Sequence, residues 1–183
     1  MNGKPLSTSR LKLIPATFSL MQAELGRQEA FSRSLGARIP ENWPPEILVD
    51  ALPFFLAQLK KDPKLAGWLS RYFVLQGKGE EFLLVGSGGF KGSPQPDGTV
   101  ELGYSVLPQY QGRGYATEAV GALLSWAFSH KEVARVIAET ALENRSSVRV
   151  LKKLGFTCIG QGSQARTMRF ELVRERYHAE ESV

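Results

Sequence analysis

The stretch ELGYSVLPQYQGRGYATEAV, residues 101–120, joins a strand pattern to a helix pattern through a loop broken by glycines. Its first part has the composition of a β-strand, and Pro108, which has no N–H to donate, ends the ladder. Gly112 and Gly114 then lead into apolar residues at helical spacing, which begin at Tyr115. This junction predicts a short loop that runs directly into a helix.

The loop has the features of an anion site. Gly112 and Gly114 lack the Cβ atoms that block close approach, and a helix beginning at Tyr115 leaves its first N–H groups unpaired. Arg113 adds a positive charge, so a phosphate is expected, with roughly 1.5 to 3 kcal/mol for each charge-assisted hydrogen bond. The alternative is a plain tight turn. A nucleotide P-loop or a dinucleotide loop is disfavoured because Tyr115 and Thr117 stand where those motifs need Lys and Gly or Ala.

The rest of the chain predicts one mixed α/β domain over residues 1–183, without internal repeats or a linker. One helical pattern runs from residue 16 to Gly36, and another starts at Pro44 and Pro45, with Pro53 expected to kink or split it. Three strands at 68–76, 81–90 and 99–107 predict an antiparallel meander. The remaining patterns predict strands at 10–15, 135–141, 156–160 and 166–173, and helices at 115–128 and 144–154.

Composition excludes several classes of protein. With 43% apolar and 22% charged residues, the chain resembles an ordinary globular protein. Neither a signal peptide nor a run of about eighteen apolar residues is found, so a cytoplasmic protein without membrane insertion is expected. One cysteine, Cys158, excludes an internal disulfide, and it is expected to be a small buried hydrophobe. No metal site is expected, and the net charge of +5 is spread over both halves, which disfavours direct nucleic-acid binding.

A second motif, ENRSSVRVLKKLGF, lies one strand downstream of the glycine loop, at residues 143–156. Residues 111–116 fit Q/R-x-x-G-x-G/A, and Asn144 and Ser147 fit N-x-x-S/A followed by KLGF. Together these motifs resemble the GNAT N-acetyltransferase superfamily, and residues 101–120 are most similar to its ribosomal-protein N-terminal acetyltransferase branch. The resemblance is strong over residues 99–160 and covers the N-terminal third only by element order. It implies a GNAT-like, predominantly antiparallel sheet of six or seven strands with a splayed central parallel pair and helices on both faces.

The resemblance also implies acetyl-CoA as cosubstrate, with its pyrophosphate wrapped by the glycine loop. The pantetheine arm would pair with strand backbone near Val106, where two strands splay apart, and a freed strand N–H would be a donor for the thioester carbonyl oxygen. Asn144 would contact the cofactor from the next helix, although an N-cap role explains it equally well, and both roles are compatible. The cofactor-binding residues implied in this way are Val106, Gln111, Gly112, Arg113, Gly114, Tyr115, Ala116, Thr117 and Asn144.

The chemistry requires a neutral amine. An α-amine has a reference pKa near 7.7 to 8, whereas a lysine near 10.4 costs roughly 3.5 kcal/mol more to deprotonate. The candidate general bases are Glu101, at the start of the central strand, and Glu139, inside the apolar strand RVIAETA. A surface ion pair is the alternative interpretation for both carboxylates.

The proton donor to the leaving thiolate is not the residue common in the family. Many GNAT enzymes have a tyrosine seven positions after the conserved asparagine, and here that position is Leu151. The resemblance carries the acid role to Ser147, one helical turn earlier, where a hydroxyl can donate a hydrogen bond to sulfur or relay a proton from water. The alternatives are Tyr104, Tyr110 and water.

The first acceptor to consider is the N-terminal α-amine of a protein or peptide. A small amine such as an amino sugar, a polyamine or an amino acid is the competing substrate class, and a CoA-binding regulatory module without turnover is the non-enzyme alternative. The turn-rich residues 37–46 are the candidate acceptor wall, with Trp43 as a rigid apolar surface or as a locally packed indole. The oligomeric state is left open.

Overall fold

The computed structural model describes residues 3–77 and 81–181, which form one sheet flanked by helices. Within these residues, eight strands lie in the order β1-β2-β3-β4-β5-β6-β8-β7, and β5 and β6 are the one parallel pair of neighbours among them. The bounds are β1 Leu6–Ser7, β2 Leu11–Pro15, β3 Arg71–Gln76, β4 Phe82–Phe90, β5 Thr99–Val106, β6 Arg135–Ala141, β7 Thr157–Gln161 and β8 Thr167–Val173. The mixed α/β fold with a predominantly antiparallel sheet is confirmed. The sheet exceeds the expected six or seven strands because two-residue β1 is too short to show an alternating pattern.

Helices cover both faces of the sheet, as the fold prediction requires. The bounds are α1 Phe18–Glu24, α2 Gln28–Leu35, α3 Glu46–Val49, α4 Ala51–Lys61, α5 Tyr115–Phe128, α6 Arg145–Lys153 and α7 Arg174–Glu181. One buried cluster joins α1, α2 and α4 to one face, and a larger cluster joins α5 and α6 to the other. The two clusters hold the strands between them, so the backbone of the central strands is fixed from both sides.

The central parallel pair splays apart, which opens the sheet. Pairing between β5 and β6 runs only from Thr99 with Arg135 to Leu102 with Ala138, and both strands continue beyond that point beside their other neighbours. The Leu107 N–H donates to the Val85 carbonyl at 2.9 Å and therefore points towards β4. Because successive strand amides alternate in direction, the Val106 N–H points the other way, into the opening.

The N-terminal helices differ in detail from the sequence prediction. The single helix expected up to Gly36 is two helices, because the chain breaks between Glu24 and Gln28, around Gly26, a residue that is unfavourable inside a helix. The second pattern is split as expected, but at Asp50, so that Pro53 falls in the first turn of α4, where a missing N–H costs nothing. Helix α7 was not predicted because its sequence, RERYHAEE, has no apolar periodicity.

The meander of β3, β4 and β5 is confirmed, although most of its GKGE turn, residues 77–80, lies outside the described residues. At the far edge of the sheet, the prediction that Cys158 is buried is wrong. All five residues of β7 are exposed, because β7 is an edge strand of the sheet. The register of β7 against β8 shifts at Ile159, which forms a bulge in the edge.

No helix within residues 3–77 and 81–181 combines the length and the apolar composition that crossing a bilayer requires.

Candidate active site

A cleft of about 450 Å³ lies where the opening between β5 and β6 meets the glycine loop. Three segments form its walls: the end of β5, the loop with the first turn of α5, and α6 with its N-cap. The lining residues are Tyr104, Ser105, Val106, Tyr110, Gln111, Gly112, Gly114, Tyr115, Ala116, Thr117, Asn144, Ser146, Ser147, Arg149, Val150 and Lys153. The fold therefore brings together every predicted cofactor residue except Arg113, and it adds Ser147.

The glycine loop has a backbone conformation that glycine adopts more readily than other residues. Gly112 has a φ of 73° and Gly114 a φ of 82°, both in the left-handed region. Gly114 caps α5 and has no side chain to satisfy the first helical amides, which therefore remain free to bind an anion. The Gln111 side-chain amide donates to the Val106 carbonyl at 2.8 Å, which ties the loop to the end of β5.

The positive charge at the cleft comes from residues that the sequence reasoning missed. Arg113 is exposed and outside the lining, and its carbonyl accepts a hydrogen bond from Arg10 at 2.9 Å. Arg149 and Lys153 line the cleft instead, four residues apart on α6 and hence on one face of the helix. That spacing is the signal that could have identified them once a helix was placed after Asn144.

The N-terminal segment braces the loop from outside through Glu118, in the first turn of α5. The Glu118 carboxylate accepts hydrogen bonds from the Thr8 hydroxyl at 2.5 Å and the Ser9 hydroxyl at 3.0 Å, and from the Arg10 backbone at 2.8 Å. It also pairs with the Arg10 guanidinium at 2.6 Å, and that guanidinium lies over the Tyr115 ring. We call Thr8, Ser9, Arg10 and Glu118 the N-terminal latch. Burial raises the pKa of Glu118, but the hydrogen bonds from Thr8, Arg10 and Ser9 outweigh it, so the pKa lies below its ordinary value.

We expect Glu118→Gln to be less stable than the wild type at pH 7 by about 1 to 3 kcal/mol, because charge-assisted hydrogen bonds of the latch are lost. A depressed pKa contributes stability that is present above the ordinary value near 4.5 and is lost as the pH falls through the folded-state value. The difference between the two proteins should therefore shrink on acidification. Thermal unfolding from pH 7 down to about pH 3 is the measurement.

The matched control for this prediction is Glu143→Gln. Glu143 pairs with Arg166, and both side chains are more than half exposed, so this substitution should change the unfolding temperature little. A Glu118→Gln protein that unfolds like the wild type at every pH would contradict the latch.

Asn144, Ser147 and Tyr104 meet at the inner part of the cleft. The Asn144 side-chain oxygen accepts from the Ser147 N–H at 3.0 Å, which confirms the N-cap role. The Tyr104 hydroxyl lies 2.9 Å from the Ser147 hydroxyl and 3.4 Å from the Ser147 carbonyl oxygen. Burial raises the pKa of Tyr104, and the Ser147 hydrogen bond offsets part of that shift. Leu151 is fully buried in the core and does not line the cleft.

The two candidate bases lie outside the cleft lining. Glu101 forms an ion pair with Lys91, one residue before the last β5–β6 pair. Glu139 forms an ion pair with Arg169 at 2.6 Å and accepts hydrogen bonds from the Ser163 N–H and hydroxyl. Burial raises the pKa of Glu139, but the Ser163 and Arg169 hydrogen bonds outweigh it, so the pKa is lowered and its carboxylate is a weaker base. Both carboxylates thus show the ion pairing that was the alternative interpretation.

Trp43 is packed rather than presented to the cleft. Its indole N–H donates to Glu24 at 2.7 Å, and the Tyr72 hydroxyl donates to the same carboxylate at 2.5 Å. Burial raises the pKa of Glu24, with the two hydrogen bonds offsetting part of the shift. The neighbouring Asn42 exchanges two amide hydrogen bonds with Gln109, at 2.9 and 3.0 Å. These contacts favour local packing of the indole over an acceptor wall.

The chain is similar to known acetyltransferases in sequence and in fold. Residues 14–157 match the family model of the acetyltransferase (GNAT) domain. The chain is 31% identical over 151 residues to the uncharacterized N-acetyltransferase YjdG of Bacillus subtilis (strain 168), covering 82% of this chain and 88% of that protein.

Two solved structures show the same fold. The acetyltransferase (GNAT family) from Bacillus anthracis aligns with a TM-score of 0.62 at 21% identity, covering 94% of this chain and 99% of that chain. The ribosomal-protein-S5-alanine acetyltransferase from Vibrio fischeri aligns with a TM-score of 0.63 at 20% identity, covering 95% of this chain and 98% of that chain.

Across the described ranges, 3–77 and 81–181, no group of three or more metal-ligating side chains occurs.

Proposed function

Because the chain belongs to the GNAT acetyltransferase family, we propose that it transfers the acetyl group of acetyl-CoA to the N-terminal α-amine of a protein or peptide. The observation that carries the proposal is the cleft, which joins an anion-binding loop to a splayed strand and a pair of hydroxyls. The proposal assigns the whole chain to one catalytic domain.

The cleft residues fit acetyl-CoA at its charged end. The free amides at the start of α5 suit the pyrophosphate, and the left-handed glycines allow it to approach the backbone closely. Arg149 and Lys153 supply cationic side chains for the remaining phosphate charge. Asn144 keeps its side-chain NH₂ group for the cosubstrate, because its N-cap bond uses only the oxygen.

The cleft also fits the thioester end. The Val106 N–H points into the opening and is a donor for the pantetheine arm or for the thioester carbonyl oxygen. The amine nitrogen attacks the carbonyl carbon, the carbon–sulfur bond breaks, and the thiolate leaves with the bonding electron pair. Glu101 pairs with Lys91, whereas Glu139 is held by both Arg169 and Ser163, so Glu101 is the better candidate to receive the amine proton, directly or through water.

An α-amine acceptor requires little help from the protein to lose its proton. Its pKa near 7.7 to 8 leaves part of it neutral at physiological pH, so a water-relayed proton transfer suffices. The likeness to a fold neighbour that is named as a ribosomal-protein-S5-alanine acetyltransferase agrees with this choice. A small amine is the second candidate class, and a CoA-binding module without turnover is the third.

The deciding experiment measures thiol release from acetyl-CoA with a panel of amines. We expect release with short peptides that carry a free N terminus and none with the same peptides after N-terminal blocking. Matched peptides that carry a lysine and a blocked N terminus separate α-amines from side-chain amines. Release only with polyamines, amino sugars or amino acids would replace the peptide acceptor, and acetyl-CoA binding without release from any amine would leave a binding module.

A further inference from the structure

Two hydroxyl groups from different elements meet at the inner end of the cleft, and neither contacts a carboxylate or a cation in the hydrogen bonds of the described residues. We propose that Tyr104 is a positioning residue for acetyl transfer: its phenol donates to Ser147, which turns the Ser147 hydrogen towards the sulfur of the leaving CoA. This inference rests on the proposed use of acetyl-CoA.

The splay places Tyr104 where the sulfur is expected. Tyr104 lies on β5 two residues beyond Leu102, the last residue paired with β6. Along β5 it is two residues, or about 7 Å, farther from the glycine loop than Val106. A chain bound by its phosphates at the loop and running past Val106 therefore brings its far end towards Tyr104. On the opposite wall, Ser147 extends from α6 and reaches the phenol at 2.9 Å.

The number of available hydrogens and acceptors favours one direction for the bond between the two hydroxyls. Each hydroxyl has one hydrogen, and the phenol has two acceptors within reach, the Ser147 hydroxyl at 2.9 Å and the Ser147 carbonyl at 3.4 Å. Hydrogen bonds between oxygens are normally about 2.5 to 3.0 Å long, so the contact with the carbonyl is poor. If Ser147 were the donor, the phenol hydrogen would have only that poor contact. The favoured arrangement has the phenol donating, which leaves the Ser147 hydrogen free.

The pair works as a hydrogen-bond donor rather than as a strong acid. The pKa of Tyr104 is raised by burial, whereas a thiol has a pKa near 8.5, so moving the phenol proton fully to sulfur is uphill. A donated bond polarises the Ser147 hydroxyl and strengthens the bond that it makes in turn. The leaving thiolate keeps the electron pair of the broken carbon–sulfur bond, and the Ser147 hydrogen stabilises it there. This arrangement serves in place of an acid at position 151, where the leucine is fully buried.

The first test needs no acceptor, because it uses CoA itself. A hydroxyl that donates to sulfur stabilises the thiolate, so the affinity for CoA should rise about tenfold as the pH passes from about 7 to 9, through the thiol pKa. Desulfo-CoA, which lacks the sulfur, should show no such rise. Calorimetric titrations of wild type, Tyr104→Phe and Ser147→Ala at several pH values make the measurement.

Both variants should lose the pH-dependent rise for CoA while binding desulfo-CoA as the wild type does, which also shows that they are folded. Tyr110→Phe tests the alternative donor in the same cleft. Tyr110 lines the same cleft, and no hydrogen bond from its hydroxyl to Ser147 is found in the described part of the chain, so it should keep the rise. A rise that persists in Tyr104→Phe, or is absent from the wild type, overturns this inference alone. Failure of CoA to bind at any pH overturns the proposed function as well.

The second test uses turnover with the best amine. Tyr104→Phe and Ser147→Ala should each lower kcat at least about tenfold, with the acetyl-CoA KM within about twofold of the wild type, since acid assistance is worth about 10² to 10⁴ in rate. The double variant should lose little more than the worse single variant, because the two hydroxyls act as one unit. Losses that multiply in the double variant would show that Tyr104 acts independently of Ser147 and would overturn the inference.

Discussion

Gly114→Asp should weaken acetyl-CoA binding at least about 100-fold. The substitution places a side chain on a residue with a φ of 82° and puts a carboxylate at the helix end that we propose receives the phosphates. Loss of two charge-assisted hydrogen bonds, at roughly 1.5 to 3 kcal/mol each, already accounts for a change of this size. Calorimetric titration with acetyl-CoA at fixed salt concentration measures it.

Gly114→Asn separates bulk from charge, because asparagine has nearly the same shape as aspartate and tolerates the left-handed region. It should bind acetyl-CoA more weakly than the wild type and more tightly than Gly114→Asp. A Cβ at this position would come within 3.3 Å of the Arg10 guanidinium, which can shift, so both variants should fold. Wild-type affinity in Gly114→Asp would rule out the loop as the phosphate site.

Arg174→Ala should give the largest loss of stability, about 3 to 5 kcal/mol, with the unfolding temperature lower by roughly 10 °C. The Arg174 guanidinium donates to the carbonyl of Phe128 at 2.7 Å, to that of His130 at 2.6 Å and to that of Val133 at 2.9 Å. These carbonyls lie at the C-terminal end of α5 and in the turn that follows, where helix carbonyls have no intrahelical donor. Thermal and urea unfolding at pH 7 measure the loss.

Arg174→Lys retains the charge but not the forked geometry, so its stability should lie between those of the wild type and Arg174→Ala. The control for function is acetyl-CoA affinity at a temperature where both variants are folded. It should match the wild type, because the proposed phosphate loop lies at the other end of α5. A fall of less than about 2 °C in Arg174→Ala would contradict the energetic role of this side chain.

Local features of the fold and of the candidate site could be predicted from the sequence. Three of these features depend on residues that are close together in the sequence, so their patterns can be recognised in a single chain. They are the start of α5 at Tyr115, the N-cap role of Asn144 and the three-strand meander. The family motifs added the splayed parallel pair, and the observed pairing of β5 with β6 confirms this expectation. The assignment of individual residues to cofactor binding and catalysis stays a prediction.

Features formed by residues distant in sequence could not be predicted in this way. The latch joins Arg10 to Glu118 across 108 residues, and Tyr104 meets Ser147 across 43. Propensity and periodicity contain no information about such pairs until the sheet order is known. Cys158 shows the same limit. Its strand pattern suggested burial, and only the order of the strands in the sheet shows that β7 lies at an edge.

The two edges of the sheet have a consequence for the behaviour of concentrated protein. An open strand edge is a template for strands of other copies, which would extend the sheet from molecule to molecule. One edge, β1, is only two residues long, and the other, β7, is interrupted by the bulge at Ile159 next to Gly160, whose φ is 125°. Neither edge offers a long, regular row of backbone groups. The fold thereby resists polymerisation through its sheet edges, even though every residue of β7 is exposed.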